Sequence, residues 1–558
     1  MPAKPSRRPA PRRRALIGAL SVTLLCAGLP AAAADDGQPD LTRFYRQKVT
    51  WGRCEGMDMP KDLQCGKVTV PLDYARPRTG TLDLALARYR ASGDRHGSVV
   101  LNFGGPGGSG VVGLAGSGRA YMDLTDRYDV VSFDPRGVGR SSPVSCGDAF
   151  QTAEFDEDAD EVLRDPRALL RQLREEAAAC EKHSGPVLPH IGTVNVSRDL
   201  DVIRQALGDE KLNYLGFSYG TRLGAVYAKQ FPDRVGRLAL DGVDTLTEPL
   251  TEQGIAGARG QQTALEDFLD WCTRDVACPF GQDPRRARED MLRLVRSLDR
   301  DPVPTDFGYE FTGQDLVGAI GQALYSKELW PSLERALASL MEDGETHRIE
   351  AFATGGYLLP GIPPGIPPGI PPGTGPGIPP DGPADGPADE RRRETGPEHD
   401  GGLADEEDVP LDNLAAALMA VNCADDPDRP TAARVERDLD RLRAAYEQAS
   451  PVFGRYRLTE VLLCYGRPPG TDFIREQVRD VDSPKLLLVG TRGDPATPYR
   501  WTVQTARRLG PSAVVLDNRG DGHTGYGSSK CVHRKVDDFL LYGSLPPNGS
   551  SCGPEDQE

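Results

Sequence analysis

The stretch "LNYLGFSYGTRLGAVYAKQFP", Leu212 to Pro232, changes character in its middle. Leu212 to Gly216 reads as a buried strand, and Thr221 to Phe231 reads as a helix with small residues on one face. Between them lies Gly216-Phe217-Ser218-Tyr219-Gly220. A serine held on a strained strand-to-helix turn needs glycines beside it, because side chains there would clash across the turn. The pattern is that of a nucleophile elbow, which lifts the hydroxyl above the carboxyl edge of a sheet, where ligands bind in folds of this kind.

Working outward, the neighbouring segments supply such a sheet. Val68–Pro71 and Leu82–Ala87 read as an opening hairpin or meander. "SVVLNFGG" (Ser98 to Gly105), "YDVVSFDPRG" (Tyr128 to Gly137), "RLALDG" (Arg237 to Gly242), "KLLLVG" (Lys485 to Gly490) and "AVVLDN" (Ala513 to Asn518) are further short apolar runs, each ending at a turn signal. Helical patterns such as 199–207 and 499–509 lie between most of them, so the fold class is α/β, a mostly parallel, doubly wound sheet buried on both faces. The alternation stops after Gly242, helical patterns dominate from Asp244 to Cys464, and strands resume at Lys485. We therefore expect a large helical cap inserted after the sixth strand: core over 35–243, cap over 244–470, and core again over 471–558. Within the cap, 359–402 carries repeated Gly-Ile-Pro-Pro units without the glycine at every third position that a collagen helix requires, and it reads as a disordered or polyproline-like loop.

The first 34 residues have a basic start, an apolar middle from Ala15 to Leu29 and a small-residue run at Ala31 to Ala34, the anatomy of a secretory signal peptide. The apolar part is too short for a comfortable membrane span, and no later segment approaches the ~20 residues needed. Removing Cys26 with the signal leaves ten of the eleven cysteines, and an even number in an exported chain favours disulfides. We expect sequential pairing, each neighbouring pair stapling one loop. The formal net charge of −17 disfavours nucleic acid and anionic membranes as partners.

A serine hydroxyl is a poor nucleophile until a base takes its proton, so a histidine and an orienting carboxylate are expected downstream. His523, in "DNRGDGHTGYG", follows the strand at Ala513 on a glycine-flanked loop and is the candidate base, whereas His533 falls on the next helix and reads as structural. Asp494, just beyond the strand at Lys485, is the candidate acid, with Asp517 and Asp521 as competitors near His523. "NFGGPGGSG", Asn102 to Gly110, leaves its strand with five glycines, so its bare amides can approach a reacting carbonyl. The backbone amides of Gly105 and Tyr219 are the candidate oxyanion hole. A phosphate-binding loop is the rival reading, but its Lys-Ser/Thr ending is absent.

Together "GGPGGSG", "DPRGVGRS" (Asp134 to Ser141), "GFSYGT", "GDPATP" and "GDGHTGYG" resemble the secreted tripeptidyl aminopeptidases of high-GC Gram-positive bacteria, alpha/beta hydrolases related to proline iminopeptidases. The resemblance runs over nearly the whole mature chain and implies a secreted serine exopeptidase acting on peptides with a free N-terminus. Nothing in the chain calls for a metal or organic cofactor, and a monomer is expected. The family's nucleophile, acid and base fall on Ser218, Asp494 and His523. Iminopeptidases generally carry histidine where this chain has Phe103, which turns the expectation toward the tripeptidyl branch; an iminopeptidase-like enzyme or an ester hydrolase of the same fold are the alternatives. Exopeptidase action needs carboxylates to grip the substrate ammonium, and Asp425 and Asp426 in the cap are the candidates.

Overall fold

The computed structural model describes residues 39–54, 59–147, 166–305, 308–353, 403–468 and 478–553 of the 558-residue chain. The signal-peptide reading of 1–34 and the proline-rich loop 359–402 lie outside the described residues.

In chain order the strands are β1 (Gly52–Arg53), β2 (Gln64–Pro71), β3 (Thr81–Tyr89), β4 (Ser98–Asn102), β5 (Asp129–Phe133), β6 (Leu212–Phe217), β7 (Val235–Asp241), β8 (Val303–Pro304), β9 (Glu310–Phe311), β10 (Leu486–Gly493), β11 (Ala513–Asp521) and β12 (Ser550–Cys552). Ten of them form one sheet in the order β1-β2-β3-β5-β4-β6-β7-β10-β11-β12. From β5 through β12 every pairing in this sheet is parallel, and β1, β2 and β3 add an antiparallel edge.

Strand composition explains the burial. Successive side chains of a strand point to opposite faces, so Val100, Val131, Tyr214, Leu238 and Leu488 enter one apolar cluster while Leu101, Val130, Leu215, Ala239 and Leu487 enter the other. The first face is covered by the helices Thr193–Ala206 and Tyr219–Gln230, through Leu200, Ile203, Leu223 and Val226. The helices Gly110–Ser117 and Lys530–Tyr542 cover the second, through Leu114, Val532, Val536 and Leu540. Each fully buried Leu or Val contributes about 1.5–3 kcal/mol relative to exposure, so continuous apolar runs are stable only when both faces are covered.

The insertion follows β7, the sixth strand legible in the sequence, which the two-residue β1 makes the seventh in chain order. Among the described residues between β7 and β10 no strand joins the main sheet; β8 and β9 pair with each other. Helices Leu250–Cys272, Pro284–Arg300, Gly313–Ala323 and Trp330–Asp343 share their own core, which includes Phe268, Met291, Leu316 and Trp330. Pro284–Arg300 shows how sequence makes such a helix: the Asp283 side chain accepts from the Arg285 amide at 3.0 Å, Pro284 opens the first turn, and Ala287, Met291, Val295 and Leu298 recur on the buried face. A further helix, Pro166–Ser184, comes from far earlier in the chain yet packs Leu169 and Leu170 against Val435, Leu439 and Tyr446 of the insertion.

The ten cysteines outside the first 38 residues form five sequential disulfides, Cys54–Cys65, Cys146–Cys180, Cys272–Cys278, Cys423–Cys464 and Cys531–Cys552, as expected. Among the described residues no helix is long and apolar enough to cross a membrane.

Candidate active site

Ser218 stands between β6 and the helix Tyr219–Gln230 with φ 54° and ψ −121°, a left-handed conformation that is strained for a residue with a side chain. The flanking glycines are dictated by contact. A Cβ on Gly216 would lie 2.5 Å from the Gly220 carbonyl oxygen, and one on Gly220 would lie 2.6 Å from that of Asn102.

The glycine-rich loop after β4 lies against this turn, for a Cβ on Gly104 would fall 2.5 Å from the Phe217 carbonyl oxygen and 3.3 Å from the Tyr219 amide nitrogen. Tyr219 is the first helical residue, so its N–H has no acceptor within the helix. The Gly104 amide donates to Asn102 Oδ1 at 3.1 Å, which leaves the Gly105 amide as the next donor along the loop. Asp134 of "DPRGVGRS" fastens the far end: it accepts from Ser109 Oγ at 2.7 Å and from the Val111 and Arg140 amides at 3.0 Å each. The helix Asn413–Asp425 of the insertion presses on the same loop, since a Cβ on Gly107 would sit 2.8 Å from the Leu414 carbonyl oxygen. At its start, Asn413 donates to the Gly137 and Val144 carbonyls at 2.9 and 2.8 Å and accepts from the Gly139 amide at 2.9 Å.

Downstream of β10, Asp494 is buried and its oxygens are surrounded by donors. Oδ1 accepts from the Ala496 and Thr497 amides at 2.8 and 2.7 Å, and Oδ2 from Thr497 Oγ1 at 2.9 Å. His523 Nδ1 lies 3.0 Å from both oxygens. The ring is further held by its own backbone, which donates to the Tyr325 carbonyl at 2.8 Å, and by the Tyr325 ring standing edge-on at 5.1 Å. Burial pushes the imidazole pKa down, but the charges of Asp494, Asp241 and Asp244 outweigh it and the net direction is up. Asp241 lies beneath the histidine loop and accepts from the Gly525 and Tyr526 amides at 2.9 and 2.7 Å; burial raises its carboxyl to about 6.

The competitors are occupied elsewhere. Asp517 takes both ends of the Arg492 guanidinium at 2.8 Å, and Asp521 pairs with Lys327 at 2.6 Å. His533 stacks on Tyr526 with ring centroids 4.1 Å apart and pairs with Asp537 at 3.2 Å.

Ser218, Gly105 and His523 all line one cavity of about 670 Å³ between the sheet edge and the inserted helices, inside the ~300–1,000 Å³ range of small-ligand sites. Over 98–343 the chain matches the family model described as alpha/beta hydrolase fold, and over 450–552 the one described as TAP-like protein. It is 32% identical to the serine protease Hip1 of Mycobacterium tuberculosis, with 96% of each chain covered. The chain belongs to the TAP-like alpha/beta hydrolases. Within this family it is also 29% identical to the tripeptidyl aminopeptidase of Streptomyces coelicolor, covering 92% of this chain and 87% of that one, and 30% identical to a carboxylesterase B of M. tuberculosis, covering 97% and 99%. It is a serine hydrolase.

Two expected residues of this TAP-like chain do not line the cavity. Asp425 is buried against Thr193, whose amide donates at 2.8 Å, and is paired with Arg222 at 3.2 Å; Arg222 is shared with Asp244 at 2.7 Å. Asp426 is buried and accepts from the Leu250 and Asp428 amides at 3.1 and 2.7 Å. Both carboxylates are answered from within the chain, so they tie the Asn413–Asp425 helix down rather than face a ligand. Thr497 bridges the acid and base loops: besides donating to Asp494, its hydroxyl lies 3.5 Å from His523 Nδ1. No motif marks it.

Proposed function

We propose that the protein is an exported serine exopeptidase that releases short peptides, tripeptides in particular, from free N-termini through an acyl-enzyme. The observation that carries this reading is the Asp494-oriented imidazole of His523 in the same cavity as Ser218 and the amide-lined loop. With Nδ1 engaged by Asp494, Nε2 is the basic atom and takes the Ser218 proton as Oγ attacks the peptide carbonyl. The amides of Gly105 and Tyr219 hold the oxyanion, and His523 then returns the proton to the departing amine. Water repeats the sequence on the ester and frees the acid. Removing one such amide donor typically costs on the order of 10²–10³-fold in rate.

The relatives named serine protease and tripeptidyl aminopeptidase support peptide substrates. Export is supported by the leader's composition and by disulfides joining all ten cysteines after it, since such bonds persist in oxidising compartments. Incubating the purified protein with a ladder of small peptides and reading the released masses tests the reading. Fragments of three residues from the amino end are expected, and cleavage inside N-acetylated peptides would overturn it. A fluorophosphonate is expected to label Ser218 and no other residue.

The relative named carboxylesterase B favours a second reading, ester hydrolysis by the same groups. Rapid turnover of short acyl esters with no cleavage of any free-amine peptide would decide for it.

A further inference from the structure

Deepening the exopeptidase reading, on which this rests, we propose that Glu176 receives the α-ammonium group of the substrate. A free N-terminus brings a positive charge into a partly enclosed cavity, and a desolvated ammonium needs a carboxylate that nothing else already satisfies. Five acids line the cavity beside Ser218: Asp134, Glu176, Asp244, Glu406 and Glu460. Asp134 is satisfied by the Ser109 hydroxyl and the Val111 and Arg140 amides. Asp244 is paired with Arg222 at 2.7 Å, Glu460 with Arg457 at 2.9 Å, and Glu406 is exposed to solvent, where water weakens any ion pair.

Glu176 differs on each count. It is 6% exposed, and among the described residues its Oε1 is buried without a hydrogen-bond partner. The cation it feels, Arg467, spends its own donors on the Leu463 carbonyl at 3.1 Å and the Met419 sulfur at 3.5 Å. A carboxyl buried this way is raised in pKa by desolvation, and Arg467 and Gln172 only partly oppose the rise. An ammonium donating to Oε1 removes the cause, because the charge gains its missing counterpart and the orphaned acceptor gains its missing donor.

The residue is also held still. Its helix, Pro166–Ser184, is packed by Leu169 and Leu170 onto the inserted helices and fastened by Cys146–Cys180. A carboxylate fixed at one distance from Ser218 measures length, and a fixed length is what separates an enzyme that counts residues from a terminus from one that cuts anywhere.

The experiment compares a tripeptidyl anilide with a free amino terminus and its N-acetylated form, on wild type, Glu176→Gln, Glu176→Asp and Glu460→Gln. In Glu176→Gln, kcat/KM for the free-amine substrate is expected to fall on the order of 10–100-fold through KM, while the acetylated substrate changes little, so the preference collapses. Glu176→Asp keeps the charge but shortens its reach, so the preference survives with a raised KM; this arm carries the test if the glutamine variant does not fold. A preference unchanged in both Glu176 variants, an equal fall for both substrates, or a collapse in Glu460→Gln alone would overturn the assignment while leaving the exopeptidase reading intact. A wild type indifferent to acetylation would overturn that reading and this inference with it.

Discussion

The two walls of the cavity treat buried carboxylates in opposite ways. At the sheet edge, Asp494 is surrounded by backbone and hydroxyl donors and holds His523 between both oxygens. In the helical roof, Glu176 is buried almost as deeply with an oxygen that no described residue answers. A saturated charge is a fixed part, preorganised for a reaction whose charges move through it; an unsaturated one is stable only in company. The contrast teaches that burial alone says little about a polar group, and that the count of its partners separates machinery from recognition.

That contrast is broken or sharpened by changes on each side, starting with the largest. Ser218→Ala is expected to lower kcat by on the order of 10⁵-fold or more for esters and peptides alike, read as the loss of burst release from an activated ester. Asp494→Asn, which leaves the imidazole in the wrong tautomer, is expected to cost about 10⁴-fold in kcat with KM little altered. A comparable rise in KM instead would show that the edge also recognises substrate.

Asn413→Ala tests whether a roof residue can behave as part of the edge. It leaves the Val144 carbonyl and the Gly139 amide without their Asn413 partner, at about 1–3 kcal/mol for each buried group left so, while the Gly137 carbonyl keeps the Val144 amide at 2.9 Å. A lower urea midpoint together with a fall in kcat is expected, because the oxyanion loop loses its brace. Thr497→Val removes one hydroxyl donor to Asp494 and is expected to lower kcat by roughly tenfold, given about 1.5–3 kcal/mol for a bond to a charged group.

The smallest effect is in pH. As the proposed base, His523 would act only when neutral, and its pKa is raised above the usual ~6.5. The acid limb of kcat/KM is therefore expected above that value, activity growing as pH rises through it. In Asp494→Asn the limb shifts to lower pH, since the chief raising charge is gone. A limb that stays put would show that another group titrates.

How much of this was legible beforehand follows from the range of each interaction. Eight strands announced themselves as apolar or alternating runs, while β1, β8, β9 and β12, two or three residues each, leave no pattern. The positions of Ser218, Asp494 and His523 were legible because each follows a strand on a short turn that glycine or proline makes conspicuous, and the structure brings Ser218 and His523 to one cavity with Asp494 on the imidazole. Asp425 and Asp426 misled because composition cannot distinguish a carboxylate aimed at a ligand from one answered within the chain, by Arg222 for Asp425 and by the Leu250 and Asp428 amides for Asp426. Glu176 lies on a helix whose charged residues look alike in sequence, and only packing across hundreds of intervening residues turns one of them inward. The sequential disulfides needed no such information, because each closes a ring of 41 residues or fewer.

The grip of Asn413 and its helix on the oxyanion loop has a consequence for traffic. Lifting that helix to admit a substrate would slacken the very amides that the reaction requires, so entry must leave this side of the roof in place.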